Sequence, residues 1–210
     1  MVINKIGYEH IEYGINCQDY GFKKDGVKVV CDGCSEGKHS EVGAKLYCYF
    51  REQNMHEDKK QVFEKLVDFI GNSVESAREF MCFTIIEVTE SEESFVVEHC
   101  GDGYILAQRK DGTIEVLELS DGEYPKYYVY NYMEKDKLKC YKDGVDFDRV
   151  EFSKSEYENV GIASDGFRFA LSRDNSFEFI DLLQEGREIK VKRFINKNIK
   201  QFKDDITIII

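Results

Sequence analysis

The chain has 210 residues, with 41 acidic and 29 basic side chains, a formal net charge of −12 and a hydrophobic content of 42%. This length suits a single domain spanning residues 1–210, and the hydrophobic content supports a buried core, which excludes a disordered chain. The acidic excess argues against nucleic acid and anionic membranes as partners, because both select proteins with a basic surplus.

The N-terminal segment and the cysteines indicate the compartment. No run of the sequence approaches the ~20 apolar residues that a membrane-spanning helix needs. The first residues, MVINKIGYEHIEYG, contain no apolar stretch of the kind found in secretory signals. The seven cysteines are odd in number and scattered, which is typical of free thiols in a reducing environment. We therefore expect a cytoplasmic protein.

The first half of the chain predicts one strand and two helices. Residues 27–31, VKVVC, are rich in β-branched side chains and predict a buried strand that ends at Asp32. Ser40 is a suitable N-cap for a helix over residues 41–53. Apolar side chains recur every three or four residues over 59–80, which predicts a second helix with one buried face.

The second half is dominated by strand patterns. The sequence predicts strands over 83–88, 94–100, 104–109, 114–119 and 160–164, a hairpin over 127–133 and 137–141, helices over 177–186 and 188–200, and a last strand over 206–210. Strands gathered together with separate helices are typical of the α+β class, in which helices pack outside antiparallel sheets. The glycine-rich motifs of dinucleotide-binding folds and P-loops do not occur in the sequence.

Four aspartates share one local context, the end of a predicted strand. Asp32 and Asp165 each follow a β-branched run and precede a glycine, Asp102 lies between two glycines, and Asp204 comes just before the last strand. A carboxylate at a strand end is held by a rigid sheet, and a neighbouring glycine lets other groups approach closely. Carboxylates that converge repel one another unless a cation lies among them, and oxygen ligands select Mg²⁺ or Mn²⁺.

A simpler interpretation is that these residues form turns, since Asp-Gly is a common turn dipeptide. The same dipeptide occurs at Asp25, Asp111, Asp121 and Asp143, and there we expect ordinary turns. The β-branched runs that precede Asp32 and Asp165 separate them from those four positions. Spacing alone leaves both interpretations open.

The order of the motifs resembles the metal-dependent phosphatases of the protein phosphatase 2C type, in particular a bacterial subgroup. The matching segments, in the order of that family, are HIEYGINCQDYGF (10–22), VVCDGCSEGKHSEVGA (29–44), VVEHCGDGYILA (96–107), GIASDGF (161–167) and DDITIII (204–210). They span nearly the whole chain. The resemblance implies a four-layer α-β-β-α sandwich of two antiparallel sheets flanked by helices, with a two-metal site at one end of the sheets.

The resemblance implies a set of metal ligands. Asp32 matches the aspartate that bridges both metals, and Gly33 the glycine whose carbonyl binds the second metal. Asp165 and Asp204 match the aspartates on the first metal, and Asp205 stands at the position of the family's asparagine. In the same way the metals are expected to be two Mn²⁺ or Mg²⁺ ions.

Two further aspartates match the family, and two positions differ from it. Asp19 matches an aspartate that supports the site through metal-bound water, and Asp102 matches a ligand of a third, weaker ion in many members. Gln18 replaces the acidic residue of the family's early pair. The phosphate-binding arginine of the family corresponds to Gly14 here, which puts phosphate binding in doubt more than metal binding.

His10 is a candidate for the missing phosphate contact or for protonation of the leaving group, because histidine titrates near neutral pH. The alternative is an ordinary half-buried strand histidine. Lys38 and His39 are further candidates for phosphate contact, although a solvated loop suits both better.

The tyrosine-rich region between 122 and 158 is expected to pack as a hairpin and to leave a reduced flap beside an open site.

The expected activity is hydrolysis of phosphoserine and phosphothreonine in proteins by a metal-activated water. The expected partners are a phosphorylated protein substrate and a kinase counterpart, with no nucleic acid and no membrane, and the protein is expected to be monomeric. One alternative is a catalytically weak or inactive phosphatase-like module that binds metal or phosphoprotein and regulates a partner. Another is a purely structural α+β protein, in which the aspartates form turns.

Overall fold

The computed structural model describes residues 1–120, 122, 124–172 and 176–210. The turn expected at Asp121 lies outside the described residues. The strands are β1 Val2–Lys5, β2 Asp19–Lys24, β3 Val27–Gly33, β4 Phe83–Glu90, β5 Ser94–Cys100, β6 Gly103–Arg109, β7 Ile114–Leu119, β8 Asp148–Ser153, β9 Tyr157–Ala163 and β10 Ile206–Ile209. They form two five-stranded sheets with the orders β1-β10-β9-β6-β7 and β2-β3-β4-β5-β8, and all the pairings are antiparallel.

Helices and short 3₁₀ turns connect the strands. The α-helices are α1 Tyr8–Tyr13, α2 Ser40–Gln53, α3 Lys59–Ile70, α4 Val74–Phe80, α5 Arg168–Leu171, α6 Ser176–Gln184 and α7 Glu188–Lys197. The 3₁₀ segments are Tyr128–Tyr132, Lys135–Lys137, Asp165–Phe167 and Ile199–Gln201. No helix in the described parts of the chain is long and apolar enough to cross a membrane.

Three hydrophobic clusters show that the layers are stacked α-β-β-α, as expected. Alternation along β3 explains the arrangement, because successive side chains of a strand point to opposite faces. Val29 and Cys31 pack with α2, α3 and α4, whereas Val30 packs against the other sheet. A third cluster joins that other sheet to α5, α6 and α7 through residues such as Phe179 and Ile195. The α+β class is confirmed.

The predicted helix over 59–80 is wrong as a single element, since it is divided into α3 and α4. Gly71 adopts a φ of +106°, which an L-residue rarely adopts, and Ser73 starts α4 by accepting a hydrogen bond from Ser76 N–H at 3.0 Å. Ser40 is also not an N-cap. It is the first residue of α2, and its hydroxyl donates to the carbonyl of Cys34 at 2.9 Å.

The hairpin predicted over 127–133 and 137–141 is wrong, because this region forms 3₁₀ turns and irregular backbone. Its tyrosines do pack: Tyr128 lies edge-on to Phe63 of α3 with 5.1 Å between ring centroids. Five strands and helices were not predicted, namely β1, α1, β2, β8 and α5. In β8 five of six side chains are exposed, and Val150 and Phe152 are its two apolar residues. The remaining predicted strands and helices are present with small shifts at their ends.

Candidate functional site

Strand pairing brings the predicted carboxylates to one edge of the sandwich. In the sheet that contains the neighbouring strands β2 and β3, the register places Asp19 directly opposite Asp32. In the other sheet, β9 and β10 are neighbours, so Asp165 just after β9 and Asp204 just before β10 come to the same end. Asp102 lies in the short connection between β5 and β6.

A cavity of about 830 Å³ opens at this edge. The predicted residues that line it are Asp32, Gly33, Asp102, Asp165 and Asp204. Asp19 does not line the cavity; it is only 1% exposed and lies behind Asp32. A second cavity of about 410 Å³ shares Asp204 and Ser35 with the first and is lined by His10. The structure therefore brings the predicted site residues together.

Burial and mutual repulsion raise the pKa values of the carboxylates at this edge. Burial raises the pKa of Asp32 well above its usual value, and the negative charges of Asp19 and Asp165 raise it further. Burial also raises the pKa of Asp19 to about 8, although the Ser164 hydroxyl opposes this shift by donating to Oδ2 at 2.5 Å. The pKa of Asp165 rises to about 6, mainly through burial. The ionised form of this cluster is therefore unfavourable without a cation.

The residues fit a divalent cation by their chemistry. Oδ1 of Asp19 is buried and receives no hydrogen bond from the described residues, so it is a free acceptor. The other groups are carboxylates and one backbone carbonyl, which are the oxygen ligands that Mg²⁺ and Mn²⁺ prefer. Among the described residues, no three acidic, His or Cys side chains already have the spacing of a formed metal site. A cation would therefore have to draw the carboxylates closer.

Asp205 has a role that the sequence did not reveal. Its carboxylate accepts hydrogen bonds from the backbone N–H groups of Gly7 at 2.7 Å and Gln18 at 2.5 Å. Nδ1 of His10 lies 2.9 Å from the same carboxylate. Asp205 therefore ties α1 and the start of β2 to the segment that carries Asp204. Its neighbour Asp204 was assigned from the motif, and alternation of side chains was the only sequence indication that Asp205 points inward.

His10 is not the strand residue considered from the sequence. It lies on α1, it is 7% exposed, and its Nε2 lies 4.0 Å from Oδ1 of Asp204. Gly14, at the position of the family's arginine, ends α1 with a φ of +67°, in the left-handed region that glycine adopts without strain. No side chain at position 14 contributes to the site.

Gln18 secures the loop that follows Asp32. Its amide nitrogen donates to the Ser40 hydroxyl at 3.2 Å, and its amide oxygen accepts from the Ser35 hydroxyl at 3.2 Å. The same loop carries Lys38 and His39. Lys38 pairs with Glu79 at 2.9 Å, and the ring of His39 stacks on Phe80. Gln18 therefore shapes the cavity wall, while Lys38 and His39 are engaged elsewhere.

The glycine after Asp165 is required by close packing. A Cβ atom at Gly166 would lie 1.8 Å from the carbonyl oxygen of Asp205, far inside van der Waals contact. This contact presses the turn that carries Asp165 against the segment that carries Asp204. The glycine therefore keeps the two carboxylates near each other.

Arg168 is a site residue that the sequence did not indicate. It begins α5, three residues after Asp165, and lines the smaller cavity. Nη1 lies 3.0 Å from Oδ2 of Asp165, and Nη2 lies 3.5 Å from Oδ2 of Asp204. Nothing in the local sequence distinguishes this arginine from a surface residue, since its contact with Asp204 depends on the pairing of β9 with β10.

The tyrosine-rich region forms one wall of the larger cavity. The lining residues that it contributes are Tyr124, Pro125, Tyr127, Tyr130, Met133, Leu138, Lys139 and Cys140. The expected flap is thus a packed wall. The site beside it is open to solvent at Asp204, whose side chain is 34% exposed.

Known proteins share both the sequence pattern and the fold. The family model described as Protein phosphatase 2C matches residues 6–202. A bacterial serine phosphatase has a structure with a TM-score of 0.70 at 16% identity, covering 99% of this chain and 94% of that chain. The serine/threonine phosphatase Stp1 from Staphylococcus aureus gives a TM-score of 0.64 at 15% identity, with coverages of 99% and 92%.

The catalytic domain of the serine/threonine protein phosphatase PstP, solved in complex with two manganese ions, gives a TM-score of 0.61 at 15% identity and covers 99% of this chain and 94% of that one. No curated protein sequence matches the chain. At these identities the solved structures establish the fold, whereas the family model covers most of the sequence. The chain therefore belongs to the protein phosphatase 2C family.

Proposed function

We propose that the protein is a metal-dependent phosphatase that hydrolyses phosphoserine and phosphothreonine in proteins. The observation that carries the proposal is the group of carboxylates at one cavity, in which burial and the charges of Asp19, Asp165 and Asp204 raise the pKa of Asp32. Such a group is unfavourable unless it binds cations. Family membership and neighbours that are named serine/threonine phosphatases support the same activity.

The proposed metals are two Mn²⁺ or Mg²⁺ ions. Asp32 and the carbonyl of Gly33 would hold one ion, and Asp32, Asp165 and Asp204 the other, with Asp102 available to a third, weaker ion. The bound ions would supply a water molecule of lowered pKa and neutralise charge on the phosphoryl group. The neighbour that holds two manganese ions supports this assignment.

The protein's own residues position these ligands and move a proton. Asp19, held by the Ser164 hydroxyl, supports Asp32 from behind and would orient metal-bound water. Nδ1 of His10 lies 2.9 Å from the buried carboxylate of Asp205, and the ring lines the cavity edge. The proposed role of His10 is to donate a proton to the serine or threonine oxygen as that group leaves. No cysteine or serine nucleophile is needed.

The proposed substrate is a phosphoprotein whose phosphorylation site has basic neighbours, because the net charge of −12 attracts positive segments. A protein kinase would supply that substrate. We further propose that residues 1–210 act as one monomeric catalytic unit. Faster hydrolysis of phosphopeptides with flanking arginines than of matched peptides with flanking glutamates would support the substrate preference, and equal rates would contradict it.

The first test is hydrolysis of p-nitrophenyl phosphate with added Mn²⁺ by the wild type and by Asp165→Asn. Asp68→Asn is the matched control, because Asp68 is exposed on α3 and lines neither cavity. We expect Mn²⁺-dependent turnover in the wild type and the control, and its loss in Asp165→Asn. Equal turnover in all three proteins would place the chemistry elsewhere.

The second candidate is a catalytically inactive module that binds metal or phosphoprotein and regulates a partner. The observation that favours it is Gly14, which leaves the position of the family's phosphate-binding arginine without a side chain. This candidate predicts that the wild type binds Mn²⁺ in calorimetry but does not hydrolyse p-nitrophenyl phosphate. Turnover that Asp165→Asn abolishes would exclude it.

A further inference from the structure

We propose that Arg168 is the residue that binds the substrate phosphate. The inference rests on the proposed function and goes beyond it, because it assigns the phosphate contact to a residue at another place in the chain and on another element. The chemical group recognised is a phosphate monoester dianion. Arg168 would bind two of its oxygens through the forked guanidinium.

The position of the guanidinium is the first observation. It lines the same cavity as His10 and Asp204, and 51% of the side chain is exposed, so it faces open space at the mouth of the site. The backbone of Arg168 is fixed by the 3₁₀ turn Asp165–Phe167, which leads directly into α5. The positive charge of the Arg168 guanidinium therefore lies where a phosphate that approaches Asp165 and Asp204 would bind.

The contacts of the guanidinium are the second observation. Nη1 faces Asp165 at 3.0 Å and Nη2 faces Asp204 at 3.5 Å, so both ends of the fork already contact oxygen anions. Arginine binds carboxylate and phosphate with the same planar, two-pronged geometry. Divalent ions on these carboxylates would compete with the guanidinium for them, which would free the fork for the phosphate oxygens.

The other basic residues around the cavities are less suitable. Lys203 is 62% exposed and faces Glu9 at 3.8 Å. Arg78 and Lys139 line the larger cavity, but in the described parts of the chain only Arg168 among the arginines and lysines forms an ion pair with Asp165 or Asp204. Since position 14 offers no side chain, Arg168 is the guanidinium placed to neutralise the charge of a bound phosphate.

The experiment measures orthophosphate binding to the Mn²⁺-loaded protein by calorimetry, together with Mn²⁺ binding to the metal-free protein. We expect Arg168→Ala to weaken orthophosphate binding about tenfold to a hundredfold, as for loss of a charge-assisted hydrogen-bonded pair. Arg168→Lys should lie between, because lysine keeps the charge and loses the fork. Mn²⁺ binding by Arg168→Ala should equal or exceed that of the wild type, because a competing cation is removed.

The matched control is Arg149→Ala, which removes a surface arginine of β8 that pairs with Glu151. It should bind orthophosphate as the wild type does. Unchanged orthophosphate binding in both Arg168 variants would overturn the inference, and so would a loss of Mn²⁺ binding in Arg168→Ala that accounts for the weaker phosphate binding. If Arg168→Ala does not fold, the Arg168→Lys result decides.

Orthophosphate binding requires no turnover, so the inference and the proposed function fail in different measurements. A wild type that binds orthophosphate through Arg168 but does not hydrolyse p-nitrophenyl phosphate supports the inference and contradicts the proposed activity. A wild type that hydrolyses the ester with the same KM as Arg168→Ala supports the activity and overturns the inference. A raised KM in Arg168→Ala, parallel to the weaker orthophosphate binding, supports both.

Discussion

Asp204 and Asp205 are adjacent in the chain and have opposite environments. Asp205 is 2% exposed and accepts two backbone hydrogen bonds from distant segments, whereas the Asp204 side chain is 34% exposed and faces Arg168 and His10. In the two residues just before β10, the carboxylate of Asp205 is buried and that of Asp204 lines the cavities. The comparison shows how one short segment supplies both a structural anchor, Asp205, and a candidate metal ligand, Asp204.

The largest expected effect is on Asp204, the candidate metal ligand. Asp204→Asn should lower kcat/KM for p-nitrophenyl phosphate with Mn²⁺ by about a thousandfold, since a metal-holding charge is lost. Its melting temperature without metal should stay close to that of the wild type, because the carboxylate is partly solvated and repelled by Asp32. Asp68→Asn, measured in parallel, should match the wild type in both assays. Full activity in Asp204→Asn would contradict the assignment.

The structural anchor should behave in the opposite way. Asp205→Ala leaves two buried backbone N–H groups without acceptors, so we expect a loss of about 3 kcal/mol in the free energy of unfolding. Urea denaturation of the metal-free protein measures it. Asp204→Ala provides the comparison and should cost less than about 1 kcal/mol. Equal losses in the two variants would show that the two environments do not differ in energy.

The close contact between Gly166 and the carbonyl of Asp205 offers a third test. Gly166→Ala places a methyl group against the carbonyl of Asp205, and we expect a loss of about 2 kcal/mol together with weaker Mn²⁺ binding. Gly112→Ala is the control, because a Cβ there meets nothing within 4 Å and only its φ of +89° opposes the change. Urea denaturation and Mn²⁺ calorimetry should therefore separate the two variants. Mn²⁺ binding that falls equally in both would contradict the packing argument.

A pH dependence sharpens the contrast between the metal-free and the metal-loaded cluster. The pKa of Asp19 rises to about 8 and that of Asp165 to about 6, both above their usual values. A carboxyl with a raised pKa stabilises the fold at low pH, and this contribution is lost as the pH rises through the folded value. The chelator-treated protein should therefore lose stability as the pH rises from about 4 to about 8, the interval between the unfolded and folded pKa values of Asp19.

Thermal melting across that pH range measures the effect. Asp19→Asn should flatten the slope in the metal-free protein, because it removes the most strongly shifted of the two groups. With Mn²⁺ in excess the slope should reverse, since the metal requires ionised carboxylates. A melting temperature that rises with pH in the chelator-treated wild type would contradict the raised pKa values.

The sequence predicted the parts of the site that depend on local pattern. Asp32 and Asp165 were found because a β-branched run and a glycine surround each of them, and β3, β5 and β7 were found from their strand patterns. The four-layer fold followed from the family resemblance. These features depend on short segments whose structure is largely set by their own residues.

The features that the sequence missed depend on contacts between distant segments. Arg168 contacts Asp204 only because β9 lies beside β10, and Asp205 reaches Gly7 and Gln18 only in the folded protein. The region around Tyr128 resembles a hairpin in its β-forming residues, but packing against Phe63 overrides that preference. Local propensity contains no information on any of these contacts.

The pairing of β1 with β10 has a consequence for how the protein acquires activity. The two strands lie at opposite ends of the sequence, and the N-terminal amine donates to the carbonyl of Ile210 at 2.7 Å. Asp204 reaches the cavity only when β10 has inserted between β1 and β9. The pairing of β1 with β10 joins segments that are far apart in the sequence, and contacts of this kind slow folding. A partly folded chain should therefore lack the proposed activity, and recovery of p-nitrophenyl phosphate turnover during refolding should follow the insertion of β10.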